Sequence, residues 1–254
     1  MSLDQRIRVV DPATVEQVES VTGLVERTVL RVGDARLLLV VVDDESAWHR
    51  RDGVLYGWVR GGGGHVQSRL GSDRELEPGD FVRVPADTAH RFVAGTVPLE
   101  ILAVAAAGSA TPSADPRVRV GRASTETVSA TDGAEIAVVG SDELFPTVQS
   151  PHLIRESPFP EDDVLLLRVT AAGGAAAGWH HHGNNVYFGY AVDGPSETEY
   201  GPGGEQVARI ELGECFHVPP GVVHRDTNPT DEAHTGIIWL CGGEPWVVNV
   251  DGPA

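Results

Sequence analysis

The sequence predicts an all-β protein built as two tandem β-barrels. Three observations point there: a repeated segment, short β-branched runs separated by Gly, Pro and Asp clusters, and a scarcity of helix-period patterns of useful length. The repeat is Gly79–His90 against Gly213–His224, each position recurring 134 residues on. Upstream, Trp48-His49 followed by Tyr56–Gly61 echoes Trp179-His180 followed by Gly189–Gly194, and Arg6–Val9 echoes Arg117–Val120.

The strand-like runs are Thr28–Val32 and Arg36–Val42 in the first copy and Val164–Thr170 and Gly236–Leu240 in the second. Only Thr14–Val21 and Ser141–Phe145 suggest a helical turn or two. Ala105–Pro116 is small, polar and proline-containing, as an exposed linker should be. The boundary is placed there, giving domains 1–111 and 112–254.

Composition narrows the function classes. The 254 residues are 41% hydrophobic and 22% charged, enough apolar content for a buried core. The formal charge is −18, and all 19 basic residues are arginine. A field of that sign repels nucleic-acid phosphates and acidic membrane surfaces, so neither is an expected partner. Apolar runs such as Leu37–Val42 are too short to cross a bilayer, and the N-terminus lacks the order of a signal peptide. With only Cys215 and Cys241, a disulfide scaffold is excluded and a cytoplasmic location is expected.

Residues alternate sides along a strand. Phe216 and Val218 therefore share one face, the expected interior, with Cys215 and His217 on the other; Val82 and Val84 are their counterparts in the first copy. A metal site at Cys215 and His217 is a weaker alternative. Seven of the ten histidines follow residue 150. In Gly178-Trp179-His180-His181-His182 the same alternation sets His180 and His182 on one face and His181 on the other. A third imidazole from another strand would complete one face of a metal's coordination sphere, and His224, beyond Pro219-Pro220-Gly221, is placed to supply it.

These residues resemble the motifs of the cupin superfamily, and the likeness of both halves implies a bicupin of two double-stranded β-helix, or jelly-roll, barrels. Gly213, Pro219, Gly221, His224 and Asn228 match the second cupin motif. Gly178, His180, His182 and Gly194 resemble the first, but the positions where the family's glutamate would fall hold Val186 and Tyr187. The resemblance implies one divalent transition metal in the C-terminal domain, held by His180, His182 and His224, with Fe(II) expected ahead of Zn, Mn or Ni. Asn185, Glu197 and Glu199 are candidates for the missing ligand.

Three neutral imidazoles leave the metal its full charge, which favours a small anionic chelating substrate. Similar three-histidine cupins include dioxygenases, so a non-haem Fe(II)-type dioxygenase is the expected activity, with Tyr187 and Asn185 as catalytic or substrate-orienting groups. The alternatives are a redox-neutral isomerase, decarboxylase or lyase, and a non-catalytic small-ligand sensor. A homodimer is compatible with the edge strands of two barrels.

The first copy keeps His49 and His90 but has Arg51 where His182 aligns. Arginine has no lone pair to offer and stays charged at neutral pH. The N-terminal domain is thus expected to be a degenerate structural copy or an anion-binding module. Gly61–Gly64 reads as a hairpin turn, since it lacks the Lys-Ser/Thr of a phosphate loop. No Gly-x-Ser-x-Gly elbow appears, so nothing supports a nucleophilic triad.

Overall fold

A computed structural model describes residues 5–106, 119–120 and 135–253. The regular structure of the described residues is antiparallel strand apart from two single-turn 3-10 segments, Pro12–Thr14 and Pro202–Gly204. Among the described residues no helix is long and apolar enough to cross a membrane. The chain divides into two compact units, residues 15–143 and residues 1–14 with 144–254. The boundary expected near residue 112 falls outside the described residues.

Each unit pairs a seven-stranded sheet with a five-stranded one, and the strand orders correspond. In the C-terminal unit the larger sheet runs Arg8–Val10, Cys215–Val218, Val186–Ala191, His234–Cys241, Val164–Ala171, Leu153–Ser157, Phe145–Pro146. The smaller runs Gln206–Ile210, Ser196–Tyr200, His224–Thr227, His180–His181, Val248–Asn249. In the other unit the larger sheet runs Ala137–Val139, Phe81–Val84, Val54–Gly61, Leu99–Ala106, Ala35–Val42, Leu24–Val32, Val18–Val21. All four expected runs lie within strands, and the predicted repeat is a repeat of whole sheets.

The outer strand of each larger sheet comes from an unexpected stretch of chain. Arg8–Val10 pairs with Cys215–Val218, joining the unit of residues 144–254, while Ala137–Val139 pairs with Phe81–Val84 in the unit of residues 15–143. By pairing, the counterpart of Arg8–Val10 is Ala137–Val139. Arg119–Val120, matched to Arg8-Val9 by sequence, instead pairs with His49–Arg50.

Two further expectations change. Val18–Val21 is a strand on Leu24–Val32, and Phe145–Pro146 is a strand on Leu153–Ser157, so neither candidate helical stretch is α-helical. Gains from sheet pairing outweigh a weak local pattern. Gly61–Gly64 links a strand of one sheet to a strand of the other rather than closing a hairpin. Gly62 has φ +67°, and a Cβ there would lie 2.0 Å from the Pro98 carbonyl oxygen, so only glycine fits.

The cores sit between the sheets. In the first unit Leu38, Val40, Val59, Val66 and Phe92 pack together, joined by Val82 and Val84 as their alternation predicts. In the second, Tyr187, Phe216, Val218, Ile210 and Leu240 do so. There the packing leaves a cavity of about 620 Å³, walled by apolar side chains such as Leu165, Ile238 and Trp246 and reached by His180 and His182.

Candidate metal centre

The centre begins with strand pairing. His180 is the cross-strand partner of His224, so two imidazoles separated by forty-four residues become neighbours, their ring centroids 4.4 Å apart. His182 follows just beyond its strand, with its ring 4.9 Å from His180 and 5.1 Å from His224. All three are buried, and their candidate ligand atoms lie within 4.8 Å of one another. His181 turns to the other side, where its Nδ1 accepts from the Gly183 amide at 3.0 Å.

Backbone carbonyls set the tautomers. Nδ1–H of His180 donates to Gly178 O at 2.8 Å, that of His182 to Trp246 O at 2.6 Å, and that of His224 to Val222 O at 2.9 Å. A carbonyl only accepts, so each Nδ1 carries the proton and each Nε2 is left with its lone pair. The Nε2 atoms of His182 and His224 are buried with no hydrogen-bond partner. A buried acceptor without a partner is costly, and a divalent metal shared by the three nitrogens removes that cost. The donor set thus fits a transition metal. Burial holds His182 down to about 3, with the neighbouring imidazoles adding to the shift, and burial lowers His224 as well. Both shifts favour the neutral imidazole that a metal requires.

Tyr187 lines the cavity, its ring 4.6 Å from His182 and stacked on His224 at 5.9 Å. Burial, reinforced by Asp226, raises its phenol well above the usual value, so it is protonated at neutral pH. Asn185 does not line the cavity. Its Nδ2 donates to Pro245 O at 3.1 Å, tying it to the segment whose next carbonyl orients His182. Glu197 and Glu199 pair with Arg209 and Arg225, away from the histidines.

Sequence reasoning missed two cavity residues. Asp226 follows His224 by two and so shares its face; this strand alternation was available in the sequence. Its Oδ1 accepts from Thr198 Oγ1 at 2.8 Å, and its Oδ2 lies 4.0 Å from His224 Nε2. Burial alone would raise its carboxyl, but His224, His180, the Thr198 hydroxyl and His182 together hold it below its usual value. Arg155 lines the cavity and donates to Ser150 Oγ at 2.8 Å, with no carboxylate partner among the described residues. No local signal marks it.

The remaining motif residues hold the frame. Asn228 Nδ2 donates to the carbonyls of Ala171, Ala172 and Glu232, closing the turn after the ligand strand. Gly194 packs so tightly on His234 that a Cβ would lie 1.9 Å from the ring. Cys215 and His217 are both buried on the face opposite Phe216, and His217 Nδ1–H donates to Tyr187 O. Among the described residues the three-histidine group is the one candidate metal cluster, and it does not include them.

In the other unit His49 and His90 pair as His180 and His224 do, with ring centroids 4.2 Å apart. Arg51 is buried and hydrogen-bonded to Glu26, and burial lowers its guanidinium only to about 10, so it is cationic at neutral pH.

Residues 167–241 match the cupin domain family model. No curated protein matches the chain in sequence. Among solved structures it is similar to AerE from Microcystis aeruginosa, at TM-score 0.65 and 16% identity, covering 89% of this chain and 96% of that one. It is similar to Bacillus subtilis oxalate decarboxylase, described with Mn(II) centres, at TM-score 0.72 and 13% identity over 98% of this chain and 81% of the other. A formate complex of Lactobacillus farciminis oxalate decarboxylase gives TM-score 0.71 and 12% identity over 98% and 90%. Residues 167–241 thus carry a cupin domain around a buried three-histidine group, and with a second unit of corresponding strand order the chain has a bicupin fold.

Proposed function

We propose that the protein is an enzyme that uses one divalent metal in the C-terminal barrel to act on a small anionic, chelating substrate. The observation that carries this reading is the convergence of three tautomer-fixed imidazole nitrogens, with His180 and His182 lining a cavity of about 620 Å³. His180, His182 and His224 would hold the ion, which when bound supplies Lewis-acid polarisation of a chelated oxygen. The chain's other groups then bind and orient. Arg155 adds the only Arg or Lys charge among the lining residues, attracting an anion into a strongly acidic protein. Tyr187, protonated, donates a hydrogen bond to an oxyanion in the cavity, and Asn185 holds the segment that orients His182.

The reaction class we favour is redox-neutral: decarboxylation, isomerisation or elimination. The protonated phenol beside the ligand nitrogens supports it, as does the fold shared with two oxalate decarboxylases. The second reading is Fe(II)-type dioxygenation of the same substrate class, favoured by three histidines without the motif glutamate. Both are tested by giving the metal-loaded protein a panel of small carboxylates with and without oxygen. Turnover without oxygen supports the first, oxygen uptake stoichiometric with product supports the second, and a ligand returned unchanged leaves a binding module. In the N-terminal barrel, the Arg51 cation where the third imidazole would stand supports a metal-free, structural role.

A further inference from the structure

On strand His224–Thr227 the side chains alternate. His224 and Asp226 share one side of the strand, and Asp226 lines the cavity, while Arg225 turns away to Glu199 at 2.6 Å and the Trp179 ring at 4.8 Å. Thr198 is the register partner of Asp226, is 1% exposed, and gives its hydroxyl proton to Asp226 Oδ1. One carboxylate oxygen is therefore fixed, and the other is left on the side of His224 Nε2, 4.0 Å away. No arginine pairs with this carboxylate among the described residues. Its hydrogen-bond donor is the Thr198 hydroxyl, and the imidazole nitrogen beside it is His224 Nε2. The carboxylate, 32% exposed, has no cationic side chain paired with it among the described residues, and the convergence of imidazole nitrogens beside it is where a metal cation would pair with it. The same centre lacks the glutamate of the first motif, its positions held by Val186 and Tyr187.

We propose that Asp226, held by Thr198, is the anionic donor of the metal centre and does from the His224 strand what the absent glutamate would do from the His182 side. The inference rests on the metal-site reading. It makes the site three imidazoles and one carboxylate, a set suited to manganese or iron as well as zinc, and lowers the net charge presented to substrate.

The test is Zn²⁺ affinity of the full chain, by competition with a chromophoric chelator, for the wild type, Asp226→Asn, Thr198→Val and His182→Ala, together with Co²⁺ absorption spectra. Asp226→Asn is expected to weaken Zn²⁺ binding about 10–100-fold and to change the Co²⁺ spectrum. Thr198→Val is expected to weaken it less, in the same direction, and serves as the readout should Asp226→Asn not fold. Wild-type affinity and an unchanged spectrum in Asp226→Asn, with binding lost in His182→Ala, overturn the role of Asp226 alone. A wild type that binds no Zn²⁺ overturns the metal-site reading with it.

Discussion

His182 and Trp246 are joined by a 2.6 Å hydrogen bond from imidazole Nδ1 to a backbone carbonyl, across sixty-four residues of chain. The bond selects the tautomer that leaves Nε2 as a ligand. It depends on the segment around the preceding residue, which Asn185 holds through Pro245 O. Asn185→Ala is expected to lower metal affinity about tenfold, as loss of groups that orient ligands does, and to cost about 1 kcal/mol of stability. Chelator competition and urea unfolding of the same variant check the two effects.

Arg155 is expected to govern anion binding rather than metal binding. Arg155→Gln should retain wild-type metal content yet bind oxalate, used as a chelating probe, about tenfold more weakly, in line with loss of a charge-assisted hydrogen bond. Calorimetric titration of the zinc-loaded protein measures this. Equal oxalate affinity in both proteins would remove Arg155 from the account.

Burial lowers His217 to about 4, with Arg8 adding to the shift. The unfolded chain takes up a proton near pH 6.5 while the folded one resists until about pH 4. The stability contributed by neutral His217 is therefore complete above pH 6.5 and is lost as pH falls towards 4, by about 3 kcal/mol at most. His217→Gln should show a shallower fall in urea-unfolding free energy across that window, each protein being referred to its own value at pH 7.5. Parallel curves would contradict this.

Gly194→Ala forces a methyl group against the His234 ring. Overpacking of this kind costs about 1–3 kcal/mol, and the loss should appear as a lower urea midpoint with an unchanged slope.

Much of this was legible in the sequence because a barrel strand writes its two faces as alternating residues. That alternation set Phe216 and Val218 in the core and His180 with His182 toward one point, and the repeat carried the pattern from one barrel to the other. Partner choice is not local, so the pairing of Arg8–Val10 with Cys215–Val218 left no mark in the pattern of residues 8–10. The same holds for Arg155, whose place in the cavity follows from the strand packed beside Val164–Ala171. Asp226 is different: His224-x-Asp226 was readable by the rule that found His180-x-His182, but its fixing by Thr198 required the register between two strands.

The most direct test of the central claim is the metal content of the purified protein, by elemental analysis, beside His182→Ala and a His49→Ala, His90→Ala double variant. About one divalent transition ion per chain is expected in the wild type and the double variant, and loss of that ion in His182→Ala. Metal retained in His182→Ala but lost from the double variant, or no metal in the wild type even after reconstitution, would contradict it.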